Sequence, residues 1–149
     1  MPEYFDISLI LKKGTTHKQD MRNFLKTNDL SEGENAVNFF NKQIIISSFS
    51  DKESNFFEIL ISFPAQVFRK DTFEDELDIF TVFLKQCFEN LINLEYAICS
   101  YEMNGYLIGN IKLIEKFDDE FLKQFPISYK RNKKIVSLLL NLDAQDIFL

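Results

Sequence analysis

Residues 4–11 alternate strictly, with Phe5, Ile7, Leu9 and Leu11 on one side and Tyr4, Asp6, Ser8 and Ile10 on the other. That period of two predicts a half-buried β-strand. Lys12-Lys13-Gly14 ends it. Thr16, with Gln19 three positions on, forms a capping box that opens a helix with the apolar stripe Met21, Phe24 and Leu25. Asn28-Asp29 closes that helix. Ser31-Glu32-Gly33-Glu34 resembles a second cap, and Ala36 to Phe40 reads as either a short helix or a strand. Ile44-Ile45-Ile46 begins a strand that runs to Phe49. After a polar turn, Phe57, Ile59, Ile61 and Phe63 alternate with Phe56, Glu58, Leu60 and Ser62, and Pro64 stops this second arm of a hairpin.

The period then changes. Phe73, Leu77, Phe80, Leu84, Cys87, Leu91 and Leu94 recur at spacings of four and three, the stripe of a long amphipathic helix widened by Phe83 and Phe88. Thr72 is its expected N-cap and Asp75 the carboxylate that reaches back to it. Alternation returns over residues 96–101, and Asn104-Gly105 is a strong hairpin signal, because a type I′ turn needs positive φ at both central positions. Tyr106 to Leu113 reads as the returning strand. Asp118 caps a short helix with Phe121, Leu122 and Phe125, ended by Pro126. Lys130-Arg131-Asn132-Lys133-Lys134 reads as a basic linker into residues 135–142, which suit a strand better than a helix. Asp143 is a cap for a last turn carrying Ile147, Phe148 and Leu149.

These elements define an α+β protein with a mostly antiparallel sheet and two main helices packed on one face, in a single domain over residues 1–149. The order strand, helix, strand, strand, helix, strand resembles the ferredoxin-like βαββαβ arrangement, with an added hairpin strand and a C-terminal extension. The likeness is one of architecture, and such folds carry many unrelated functions.

Composition fits a packed core. The chain is 46% hydrophobic with 17 Phe, and has only 4 Gly and 3 Pro, which excludes disorder. Cys87 and Cys99 sit in apolar patterns as small hydrophobes, and their spacing matches no zinc or redox motif. The first residues lack a signal-peptide pattern, and no apolar run approaches the ~20 residues that cross a bilayer. The expectation is a cytoplasmic protein with reduced thiols and no membrane contact.

Charge sharpens this. Residues 1–70 balance, residues 121–149 are net +3, and residues 71–120 hold three basic against twelve acidic side chains, a net −9. Within that segment Asp71, Glu74, Asp75, Glu76 and Asp78 crowd the start of the long helix. The helix dipole favours carboxylates there at about 0.3–1 kcal/mol each, which accounts for one or two of them. Five in eight residues exceed what stability asks.

Other chemistry is thin. His17, the single histidine, stands at a helix start with no nucleophile motif near it, so it reads as a surface residue rather than a general base. One histidine and two separated cysteines make no zinc set, and acids opening a helix are not a calcium loop. Gly14, Gly33, Gly105 and Gly109 fit no phosphate-loop spacing, so no cofactor or metal is expected. The strand at residues 55–63 has the aromatics of an RNA-binding sheet but no glycine or basic residue, so nucleic acid is disfavoured. Lys130 to Lys134 reads first as a solvated loop, with contact to phosphate or to an acidic partner as the alternative.

The expected function is a non-catalytic acidic protein-binding module, of the immunity or antitoxin type, that caps the active site of a basic intracellular toxin or nuclease-like domain. Its contact set would be Asp71, Glu74, Asp75, Glu76 and Asp78, with Tyr101 and Tyr106 as aromatic anchors. Asp118, Asp119 and Glu120 would join if the two helix starts share a side. The alternatives are a small-molecule-binding or enzymatic α+β domain using residues such as His17, Tyr96 or Glu102, and a structural subunit or homodimer formed through a sheet edge.

Overall fold

The computed structural model describes residues 4–14, 17–27, 33–39, 42–50, 52–64, 73–101, 127–131 and 133–137. Among these residues seven strands form one sheet: β1 (Tyr4–Lys12), β2 (Gly33–Phe39), β3 (Lys42–Ser50), β4 (Phe56–Pro64), β5 (Leu94–Tyr101), β6 (Ile127–Lys130) and β7 (Lys133–Ser137). Two helices accompany them, α1 (His17–Thr27) and α2 (Phe73–Asn90). The strand order is β2-β3-β4-β1-β5-β6-β7 and every neighbouring pair is antiparallel. The chain is thus an α+β protein with an antiparallel sheet and two helices. The segment from Ala36 to Phe40, open between helix and strand on pattern alone, is strand as far as Phe39, within β2. That strand begins at Gly33 with a φ of 97°, a backbone state that glycine enters without the steric cost of a Cβ.

β1 lies in the middle of the seven strands, between β4 and β5. Register lays Phe5, Ile7, Leu9 and Leu11 opposite Phe63, Ile61, Ile59 and Phe57 of β4, and Ile7 and Leu9 opposite Cys99 and Ala97 of β5. Met21 and Phe24 from α1 join the same buried cluster, as do Phe83, Leu84 and Cys87 from α2. Phe24 and Phe83 meet with ring centroids 6.3 Å apart. Several of these aromatic and branched side chains are completely buried, each stabilising the fold by about 1.5–3 kcal/mol.

Four expectations are corrected. β1 is buried on both faces rather than one: Asp6, Ser8 and Ile10 are at most 1% exposed. Alternation sorts side chains between the two faces of a sheet but does not say whether the second face is covered. The long helix stops at Asn90, and Leu94 of its stripe opens β5 instead. Leu91 and Leu94 stay in the core although the helix has ended, so the apolar spacing continues past the element. The basic linker at Lys130–Lys134 is a strand pair and its turn, with Lys130 opposite Lys133. The strand expected over residues 135–142 starts earlier, since β7 begins at Lys133 and runs to Ser137. The hairpin at Asn104-Gly105, its returning strand, the helix after Asp118 and the turn after Asp143 lie outside the described residues.

Candidate functional site

Four of the expected acids are brought together by one element. Glu74, Asp75, Glu76 and Asp78 fall within the first two turns of α2, with 74 and 75 each one turn from 78. Tyr101 is the last residue of β5, opposite Phe5, at the end of the sheet where β4 also closes. Asp71, Tyr106, Asp118, Asp119 and Glu120 lie outside the described residues. His17 is the first residue of α1. α2 ends beside the start of β5, so its acidic beginning stands about 27 Å away from that end, from 1.5 Å of rise per residue.

The second face of the sheet holds a group of polar side chains that pattern alone assigns to solvent. Asp6 and Ser8 follow one another along β1 on this face, and Glu58 of β4 sits between Ile10 and Phe49 in the register. The Ser8 hydroxyl donates to Glu58 Oε2. Glu58 Oε1 is buried and has no hydrogen-bond partner among the described residues. Burial pushes the Glu58 carboxyl up to about 7; the Ser8 hydrogen bond opposes that rise and the Asp6 charge adds to it. The signal for this site was present in the phase of the alternation: Asp6, Ser8 and Glu58 share one parity, and only the burial of that face reveals that the parity is interior.

The C-terminus of α2 is closed by a residue from another hairpin. Arg131, in the β6–β7 turn, donates from Nε to the Leu94 carbonyl at 2.8 Å and from Nη1 to the Phe88 carbonyl at 3.2 Å. Its Nη2 donates to the Leu91 carbonyl at 2.7 Å and to that of Ile92 at 3.1 Å. The guanidinium also lies 5.7 Å from the Phe88 ring centroid. Phe88 lies in the last turn of α2, where a helix end leaves carbonyls without partners, while Leu91 and Ile92 follow the helix and Leu94 opens β5. A planar fork of five N–H groups is the side chain best able to serve several such carbonyls at once. Arg131 is therefore a cap and not a free surface charge.

Clefts lined by the described residues include two that bear on ligand binding. One, of about 230 Å³, lies between α1 and α2, floored by Phe24, Phe83 and Cys87 and rimmed by the amides of Asn23, Gln86 and Asn90. It falls below the ~300–1,000 Å³ typical of small-molecule sites. The other, of about 400 Å³, falls inside that range and is lined by Lys12, Lys13, Asn55, Phe56, Glu95 and Tyr96. Among the described residues no three His, Cys, Asp or Glu side chains converge to hold a metal ion, and no helix is long and apolar enough to cross a membrane. The chain matches no protein-family model, no curated protein and no solved structure.

Proposed function

We propose that this chain is a non-catalytic, acidic protein-binding module of the cytoplasm, an immunity or antitoxin-type inhibitor that caps the cationic active site of a basic toxin. The observation that carries the reading is the concentration of charge. Residues 71–120 are net −9 in a protein of net −6, and four of those acids occupy the opening turns of a single helix. Carboxylates held on a helix that is anchored through Phe83, Leu84 and Cys87 lose little freedom on binding, and their field accelerates encounter with a cation-rich surface. Tyr101, Tyr106 and the acids at 118–120 complete the contact set in this reading.

A ferredoxin-like core, with both helices on one face, is the accompanying structural proposal. Omitting β2, the order β3-β4-β1-β5 with alternating direction is the arrangement a βαββαβ unit requires, and the shared cluster of α1 and α2 side chains supports it. β2 is then an insertion that extends the sheet past β3.

The test is an affinity pull-down with the full chain from its native cells, followed by association kinetics with the protein captured. Reversing Glu74, Asp75 and Asp78 to Lys is expected to slow association at least tenfold and to flatten its dependence on salt, with the domain still folded although its melting temperature falls by the lost helix-dipole stabilisation. Unchanged kinetics after that triple reversal refute the surface. Capture of an acidic partner, or of none, refutes the basic-toxin reading.

A further inference from the structure

We infer that the cleft at the basic end of the sheet is a site for a small aromatic anion, of the chemical class of a nucleoside monophosphate. This is independent of the acidic surface on α2 and lies at the opposite end of that helix.

Topology collects the cations there. β1 ends at Lys12-Lys13, the β3–β4 turn brings Lys52, and the β6–β7 hairpin brings Lys130 and Lys133. Glu53, Glu95, Glu89 in the last turn of α2 and the buried Asp20, which accepts from Asn93 N–H, are described acids at this end. Among the residues that line the cleft, Lys12 and Lys13 outnumber the one acid, Glu95, in a protein of net −6. Register then sets aromatic rings among the cations: Lys12 is opposite Phe56 across β1–β4, and Tyr96 is opposite Lys130 across β5–β6. Phe56 and Tyr96 meet edge to face with centroids 6.2 Å apart, and both are half-buried.

That combination has a chemical reading. Half-exposed rings offer a stacking surface for a planar heterocycle, worth about a fivefold or greater gain in affinity. Lysines at the rim of the same cleft supply point charges for a phosphate. Asn55 offers an amide for the edge of a base and Glu95 a carboxylate for a ribose hydroxyl, and both line the cleft. A volume of about 400 Å³ leaves room for one nucleotide. Burial, and next the Glu95 charge, push the Tyr96 hydroxyl up, so the ring stays neutral and suited to stacking beside an anion.

The experiment is a titration of the full-length protein with AMP, followed by amide chemical shifts. AMP is expected to shift residues 12, 13, 55, 56, 95 and 96, while adenosine and inorganic phosphate each bind at least fivefold more weakly. Lys12→Gln, at an exposed position, and Tyr96→Leu are each expected to weaken AMP at least fivefold, with melting curves confirming that both variants fold. No shift at millimolar AMP, shifts elsewhere in the sheet, or phosphate binding as well as AMP would overturn the inference. Tight binding of an oligonucleotide with AMP silent would also overturn it, since the occupant would then be a polymer.

Discussion

Arg131 donates to the Leu91 carbonyl at 2.7 Å across 40 residues of sequence, and so ties the β6–β7 turn to the end of α2. Three further carbonyls and one ring share the same guanidinium. Arg131→Ala leaves those acceptors to find water or go without, a loss of about 2–4 kcal/mol. Arg131→Lys is expected to recover less than half of it, because an ammonium cannot span the fork. Urea denaturation of the native protein and both variants measures the two losses. Native stability in the Arg131→Lys variant would mean that charge alone suffices at this helix end.

Glu58 makes stability depend on pH in an unusual direction for a carboxylate. Its folded value of about 7 stands above the ordinary 4.5, so its contribution is fully present below pH 4.5 and is lost as pH rises through 7. The difference amounts to about 3 kcal/mol. Glu58→Gln keeps the shape and removes the titration. Its unfolding free energy, compared with native protein from about pH 4 to 8, is expected to gain relative stability steadily up to about pH 7 and then level off. A constant difference across that range would show that Glu58 does not carry a raised pKa.

Asp20 is 4% exposed and accepts a hydrogen bond from the Asn93 backbone N–H at 3.2 Å, joining α1 to the α2–β5 turn. Asp20→Ala is expected to cost about 1–3 kcal/mol. Asp20→Asn keeps an acceptor oxygen and is expected to cost less than half as much. Amide exchange at Asn93 reads the bond directly, with protection falling at least tenfold in the alanine variant.

Cys87 and Cys99 are free and buried. Burial raises both thiols far above the usual range, and the thiolate is the reactive form. Reaction with a thiol reagent at about pH 8 is therefore expected to proceed at the rate of unfolding, and to accelerate in urea in parallel with it. Fast labelling of the native protein would place one of the two thiols at the surface.

Local pattern carried much of this fold. The alternation around Ile7 and Ile59 and the four-three spacing of Leu84, Cys87 and Leu91 are properties of neighbouring residues, and they specify strand and helix wherever the element lies. What could not be read is relational. Nothing near Asp6 or Glu58 in sequence indicates that the second face of the sheet is covered, so a buried polar row looks like a wet face. Lys130 and Lys133 look like a linker for the same reason: four charged residues around Asn132 resemble a loop until Ile127 and Tyr129 find β5 beside them. Arg131 is hidden because its partners are carbonyls, which every residue possesses and no pattern marks.

The position of β1 also has a consequence for biosynthesis. Ile7 stands opposite Ile61 on one side and Cys99 on the other, so the strand made earliest among these seven gains its second neighbour only when β5 has been polymerised. At roughly 5–20 residues per second, that interval is about 5–20 s on the ribosome. Throughout it Phe5, Ile7, Leu9 and Leu11 form an incompletely paired apolar edge attached to a growing chain, a substrate for chaperones that retain nascent hydrophobic segments. The yield of folded protein should thus depend on the fate of β1 before the sheet can close.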